Sequence, residues 1–119
     1  MPRTSRAAVP GAPVRGSRSG RPIMALLDLL GRRWTLRILW ELRSDALAFR
    51  ALRARCDAMS PSVLNRRLGE LRRARIIELD AGYRLSREGT ALLQALAPLH
   101  TWAARWARGR RDRRGAVEP

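Results

Sequence analysis

One segment in the middle of the chain carries a helix start, a single apolar stripe and, directly after them, a tight hairpin. Ser60 followed by Pro61 is typical of a helix N-terminus, because the serine hydroxyl accepts from first-turn amides and proline has no amide to lose. Leu64, Leu68 and Leu71 then recur at helical spacing. The pattern predicts a helix that buries one narrow stripe.

The predicted helix ends at about Ala74, and two short strands follow it, at residues 76–79 and 83–85. Asp80-Ala81-Gly82 between them has the composition of a tight turn. The other face of the helix is polar and basic, and an arginine there can pair with guanine and an asparagine with adenine in the major groove of DNA. The alternative is an ordinary amphipathic helix whose arginines are only solvated. This polar face comprises Ser62, Asn65, Arg66, Gly69, Arg72 and Arg73.

Three helices are predicted before this segment. The first begins at Pro22 and ends at Gly31 as a left-handed cap, the second covers residues 34–42, and the third covers 47 to about 55. Their predicted core residues are Ile23, Leu26, Leu27 and Leu30, then Leu36, Leu39, Trp40 and Leu42, then Phe49 and Leu52.

A long final helix is predicted to follow the hairpin. Ser86 is its N-cap, and Glu88 in the first turn complements the helix dipole. Pro98 is expected to kink this helix or to split it in two. Its apolar stripe is Leu92, Leu96, Leu99, Ala103 and Trp106, with Trp102 beside it.

The charge of the chain points to a polyanionic partner. All 25 basic residues are arginines, against 10 acidic residues, for a net charge of +15. Residues 22–107 still hold fifteen arginines against eight acidic residues, so the predicted domain is basic without its ends. Residues 1–21, rich in Pro, Gly and Arg, are predicted to be a disordered basic arm, and residues 108–119 a disordered Arg-rich tail.

Several classes of function are poorly provided for. One His and one Cys cannot form a structural zinc site or a disulfide, and no catalytic motif or glycine-rich phosphate loop occurs. No apolar run approaches the roughly 18 residues that a membrane span needs. The sequence therefore predicts a cytoplasmic protein that is not an enzyme and uses no metal or cofactor.

The predicted order of elements is that of a winged helix-turn-helix, a mainly α fold with a small β-hairpin. The stretches RPIMALLDLLGRRWTLRILWEL, FRALRARCDAMSPSVLNRRLGELRRARII and YRLSREGTALL, with the later Trp102, resemble the HxlR-type winged helix-turn-helix transcriptional regulators of bacteria. The resemblance covers residues 22 to about 106, and it rests on several separate motifs in the right order.

The resemblance implies a homodimer that binds a palindromic operator in double-stranded DNA, with the first and last helices forming the dimer interface. Arg67 fits either a phosphate contact or a structural brace. The expected DNA-binding residues are Ser60, Ser62, Asn65, Arg66, Arg67, Arg72 and Arg84, and the expected dimer interface residues are Leu26, Leu30, Leu96, Leu99, Trp102 and Trp106.

The sequence departs from the family pattern at two places. Many relatives have a sensing cysteine directly before a proline ahead of the first helix, where this chain has Arg21 before Pro22. The only cysteine, Cys56, falls at a position that is apolar in relatives, so we expect it to be buried and inert.

The second departure is the hairpin, which is shorter than in many relatives and has Asp80 at its tip. We therefore expect the basic arms to supply minor-groove contacts.

Two other functions compete with a sequence-specific regulator. A nucleoid-associated protein could use the same fold with an affinity dominated by charge. A sensor could bind DNA in only one ligand state, with a pocket for an unknown small-molecule effector between the dimer helices, near Trp34, Trp40 and Trp102.

Overall fold

The computed structural model of the protein describes the backbone of residues 21–117 and the side chains of residues 21–111. Residues 1–20, which hold most of the predicted disordered arm, lie outside it. The described part confirms the predicted order of four helices, a hairpin and a final helix. Its elements are α1 (Pro22–Leu30), α2 (Thr35–Glu41), α3 (Phe49–Arg55), α4 (Pro61–Arg73), β1 (Ile77–Leu79), β2 (Tyr83–Leu85) and α5 (Arg87–Val117).

The core lies between the first four helices and is closed on one side by the first turns of α5. Leu92, Leu93 and Leu96 of α5 are half-buried and pack against it. The predicted stripe of α4 is confirmed, because all three of its leucines are buried. The largest fully buried apolar side chains are Leu29, Ile38, Leu39, Leu52, Leu64, Leu68 and Leu71.

The hairpin is held to the segment before α3. Strands β1 and β2 are antiparallel, with Glu78 opposite Arg84 in the register. Leu47, predicted to begin the third helix, instead pairs with Tyr83, since each backbone amide donates to the other's carbonyl oxygen, at 2.9 and 2.8 Å. Gly82, at φ 120°, permits this approach, because a Cβ there would lie 3.3 Å from the Leu47 carbonyl.

The face that helix α1 turns to the core differs in part from the one predicted. Ile23 and Leu27 are more than half exposed, whereas Ala25, Leu29 and Leu30 are buried. The prediction is confirmed for Leu30, and Leu26 is half-buried against the core, whereas the fully buried Leu29 was not predicted. The prediction was wrong for Ile23 and Leu27 because this helix has apolar residues on nearly every side.

The turn into α2 also differs from the prediction. Gly31 ends α1 in the right-handed region at φ −78°, so the left-handed cap is wrong. Trp34 takes the left-handed conformation instead, at φ 78°, and precedes α2 rather than beginning it. Leu36 and Trp40, predicted to be core residues, are exposed, and Ile38 occupies the core in their place.

Helix α5 is continuous and longer than expected. The Ser86 cap is confirmed, since its Oγ accepts from the Gly89 amide at 3.0 Å. Pro98 does not split the helix, because one missing amide donor leaves the bonds of the flanking turns in place. The backbone of residues 108–117, at the start of the predicted tail, continues this helix.

Candidate DNA-binding surface

A rigid turn joins α3 to α4. Asp57 and Ala58 both take left-handed conformations, at φ 58° and 54°, which reverse the chain within a few residues. The Arg53 Nε donates to the Met59 carbonyl oxygen at 2.6 Å and so ties α3 to the residue before the α4 cap. The backbone conformation and this part-buried hydrogen bond therefore restrain the angle between the two helices.

Cys56 lies at the end of α3 and is fully buried, which confirms the expected burial. Burial raises the pKa of its thiol, because an apolar environment disfavours the thiolate; the nearby Arg37 opposes this effect. A buried thiol with a raised pKa is a poor nucleophile. This environment agrees with the expected inert role.

Helix α4 begins where the sequence predicted. The Ser60 Oγ accepts from the Val63 amide at 3.4 Å, a long capping bond, and lies 3.0 Å from the Ser62 Oγ. Both serines are exposed at the start of the helix. Hydroxyls and first-turn amides at a helix N-terminus are suited to a phosphate group.

Three of the predicted DNA-binding side chains further along α4 share its exposed face. Asn65, Arg66 and Arg72 are all exposed. Arg66 and Arg72 form no ion pair with any residue that the structure describes. Their charges are therefore available to an external anion or to base edges.

Arg67 has a different environment from its neighbour Arg66. Its Nη1 donates to both carboxylate oxygens of Glu70, at 3.0 and 3.2 Å, and its Nε donates to the Arg33 carbonyl oxygen at 2.8 Å. These contacts favour the brace over the phosphate contact. They hold α4 to the loop between α1 and α2.

Glu70 is the centre of this brace, and the sequence pattern did not single it out. Its side chain is only 2% exposed, and the Arg32 Nη1 lies 3.3 Å from one of its oxygens. Arg32 in turn pairs with Asp28 of α1 at 2.7 Å. The available signal was that Glu70 is the only acidic residue of α4 and lies between two leucines of the buried stripe.

The β1–β2 hairpin is the wing of this fold, and its predicted DNA-binding residue, Arg84, is already paired with acidic side chains. The Arg84 Nη2 pairs with Glu78 at 3.0 Å and with Asp80 at 3.3 Å. Arg75, which the sequence pattern did not select, is exposed and unpaired among the described residues. It lines, with Arg72, an open groove between the end of α4 and β1.

The predicted dimer residues divide into two groups. Leu30 belongs to the core, and Leu26 and Leu96 are half-buried against it. By contrast, Leu99, Trp102 and Trp106 on the later turns of α5 are 58%, 48% and 52% exposed. The two tryptophan rings stack on each other, with centroids 5.6 Å apart.

Two helices joined by a fixed turn, with the second helix exposed on one face and followed by a hairpin, define a winged helix-turn-helix protein. The chain matches the HxlR-like helix-turn-helix family over residues 29–111. The match spans well over half of the chain, and the protein belongs to this family.

Individual relatives agree with this assignment. The chain is 28% identical over 88 residues to the "Uncharacterized HTH-type transcriptional regulator YvaP" of Bacillus subtilis (strain 168). The match covers 67% of this chain and 82% of that protein. The chain also resembles the crystal structure of quinone-bound YodB from B. subtilis at a TM-score of 0.66 and 28% identity, over 70% of this chain and 96% of that one.

Two further solved structures have the same fold. A possible HxlR family transcriptional factor from Thermoplasma volcanium GSS1 matches at a TM-score of 0.60 and 27% identity, over 70% of this chain and 82% of that one. The crystal structure of a MarR family regulator from Enterococcus faecalis V583 matches at a TM-score of 0.68, over 85% of this chain and 99% of that one. At 23% identity, that likeness concerns the fold alone.

The family is one of DNA-binding transcriptional regulators and not a class of enzymes. In the part of the chain that the structure describes, no helix has the length and apolar character needed to cross a membrane. The same residues include no group of three His, Cys, Asp or Glu side chains placed to share a metal ion.

Proposed function

We propose that the protein is a homodimeric regulator that binds a palindromic operator in a sequence-specific manner. The observation that carries the proposal is the exposed face of α4, where Asn65 and Arg66 are accessible to solvent while the leucines of the opposite face are buried in the core. A rigid helix that presents an amide and an unpaired guanidinium can read base edges in the major groove.

The proposed contacts fall into two groups. Asn65 and Arg66 contact base edges, since they occupy the middle of the exposed face. Ser60, Ser62 and Arg72 contact phosphates at the two ends of the helix, and Arg75 joins them from the groove beside β1. Arg67 acts as a brace, and Arg84 contributes less because its charge is already paired.

A dimer is supported by the apolar surface on α5. Leu99, Trp102 and Trp106 are large side chains that a monomer leaves about half exposed. Exposed apolar groups of this size on one helix mark an interaction surface. Ile23 and Leu27 of α1 are exposed to a similar extent, and we include them in the interface. A symmetric dimer matches the two-fold symmetry of a palindrome.

The decisive experiment selects preferred duplexes from a random pool with the purified protein. The winner and a scrambled control are then titrated at physiological salt. We expect an inverted repeat with half-sites about one helical turn apart, bound at least about a thousandfold more tightly than the control. An affinity ratio near one between the selected and scrambled duplexes, with a steep salt dependence, would instead identify a non-specific DNA-binding protein whose affinity comes from charge.

The dimer has its own test. Trp106→Ala removes an exposed indole that makes no contribution to the core, so the variant is expected to fold and to sediment as a monomer. Its affinity for the full palindrome should fall more than its affinity for one half-site. An unchanged sedimentation profile excludes Trp106 from the interface.

A further inference from the structure

The exposed face of α4 has a gap near its centre. Successive residues of an α-helix are about 100° apart, so the exposed arc of α4 that runs from Arg72 to Arg66 has Gly69 at its middle. Asn65 and Arg66 lie on either side of Gly69 around the helix. A glycine inside a helix is less favourable than an alanine, so this position lacks stability that any small side chain would supply.

The guanidinium of Arg73 occupies this gap. A Cβ placed on Gly69 would lie 3.3 Å from the Arg73 Nη1, 3.8 Å from its Nη2 and 3.9 Å from its Cζ. Side chains of an α-helix lean toward the N-terminus, which brings a long side chain over the residue four positions earlier. The charge of the last residue of α4 is therefore carried back by one turn, to the middle of the exposed face.

The charge of Arg73 has no partner in the part of the chain that the structure describes. Arg73 is exposed, and its guanidinium forms no hydrogen bond or ion pair with any described residue. Arg67, by contrast, is held by Glu70 and by the Arg33 carbonyl oxygen. A basic residue in the last turn of a helix often complements the helix dipole, but this guanidinium lies beside Gly69, ahead of the four carbonyl groups that end the helix.

We propose that Arg73 is a third residue of α4 that contacts base edges, and that its target is a guanine. The inference rests on the proposed function, in which the exposed face of α4 enters the major groove. A guanidinium at the middle of that face meets base edges, whereas the phosphates lie on either side of the groove. Its parallel donors match the O6 and N7 acceptors of guanine. Arg72 lies at the edge of the exposed arc and keeps its proposed phosphate contact.

The test uses the full chain and the preferred duplex from the pool selection. Each base pair of one half-site is replaced in turn, and the wild type and three variants are titrated against the whole set. We expect Arg73→Ala to lose a guanine preference of roughly 5- to 150-fold at one base pair, different from the pair that Arg66→Ala relaxes. Arg72→Ala is the matched control, because it removes the same charge from the adjacent residue and should weaken binding to every duplex alike.

Two further probes separate base recognition from charge alone. Arg73→Lys keeps the charge but loses the two parallel donors, so it should also lose the guanine preference, with a smaller fall in overall affinity than Arg73→Ala. Replacing the guanine with 7-deazaguanine removes the N7 acceptor, which should weaken binding by the wild type and leave binding by Arg73→Ala unchanged. Circular dichroism checks that each variant is folded.

The outcomes distinguish this inference from the proposed function. A uniform loss or no loss of affinity in Arg73→Ala, while Arg66→Ala still relaxes one base pair, would overturn the inference and leave the proposed function standing. Retention of the guanine preference in Arg73→Lys would also overturn it. A pool that yields no preferred sequence would contradict the proposed function, and with it the base contact of Arg73.

Discussion

Helices α4 and α5 use their side chains in opposite ways. Helix α4 is held along its length, because its leucine stripe is buried and Arg67 and Glu70 tie it to the loop before α2. Helix α5 is held only over its first turns, and its later turns leave Leu99 and two tryptophans exposed. Helix α4 is thus positioned by the interior of the domain, whereas α5 leaves apolar surface exposed, which the proposed dimer would cover.

The strongest restraint on α4 is a buried charge. Glu70 is enclosed with the guanidinium groups of Arg67 and Arg32, and these groups come from two separate parts of the chain. Removing one partner of a buried ion pair is costly, because the remaining charges stay away from water without compensation. No comparable group lies on the described part of α5.

The largest expected effect follows from removing that charge. Glu70→Gln keeps the size of the side chain but removes the carboxylate that Arg67 pairs with in a largely buried position, while Arg32 keeps Asp28, so we expect a loss of about 3–5 kcal/mol in the free energy of unfolding. Urea denaturation monitored by circular dichroism measures it.

The matched control is Glu78→Gln on the wing, where the carboxylate pairs with exposed Arg84. Exposed ion pairs contribute about 0–1 kcal/mol, so this variant should be nearly as stable as the wild type. Similar losses for the two variants would show that Glu70 has no special role in holding α4.

A pair of leucine substitutions compares the two helices directly. Leu64→Ala in α4 opens a cavity in the core and should destabilise the protein by about 2–5 kcal/mol. Leu99→Ala in α5 should change the stability of the monomer by less than about 0.5 kcal/mol, because the side chain is already exposed. Denaturation over a range of protein concentrations separates a loss of stability within the monomer from a loss of dimerisation.

In the proposed dimer, Leu99→Ala reduces the dependence of the unfolding midpoint on protein concentration. Leu64→Ala lowers the midpoint at every concentration. If Leu99→Ala behaves like Leu64→Ala at high dilution, α5 is packed within the protomer and the contrast between the helices is lost.

The same contrast explains which parts of the fold could be predicted. The leucines of α4 recur on one side of an otherwise polar helix, so their spacing defined the buried face without ambiguity. Helix α1 has apolar residues on almost all sides, and spacing assigned Leu30 to the core correctly but could not distinguish Ile23 and Leu27 from Leu29. Only packing against the rest of the core selects the buried ones.

The candidate site was predictable to a similar, limited extent. The sequence placed Asn65 and Arg66 on the exposed face of α4, and the structure has them there. It left Arg67 open between a phosphate contact and a structural brace, because the difference is made by Glu70 and by the Arg33 carbonyl, which tertiary structure brings together. The pairing of Arg84 likewise depends on the register of the hairpin.

Substitutions of Arg66 and Arg84 test whether an arginine without an ion-pair partner contributes more to DNA binding than one that is already paired. Arg66→Ala should cost about 1–3 kcal/mol on the preferred duplex and relax the preference at one base position. Arg84→Ala should cost less, because Glu78 and Asp80 already neutralise its charge. Titration of the selected duplex and its single-base variants measures both effects. A uniform loss across all duplexes for Arg66→Ala makes it a phosphate contact.

The smallest expected effects compare the serine caps of the two helices. The Ser86 Oγ accepts from the Gly89 amide at 3.0 Å, and its one proton is shared between the Arg75 and Ile76 carbonyl oxygens at 2.7 and 2.9 Å, whereas Ser60 accepts from Val63 at 3.4 Å. Ser86→Ala should therefore cost about 1–2 kcal/mol of stability and Ser60→Ala about 0.5–1 kcal/mol, measured by thermal or urea unfolding. If Ser60 also contacts a phosphate, Ser60→Ala weakens DNA binding while Ser86→Ala does not. Equal losses of affinity would mean that both serines act only through folding.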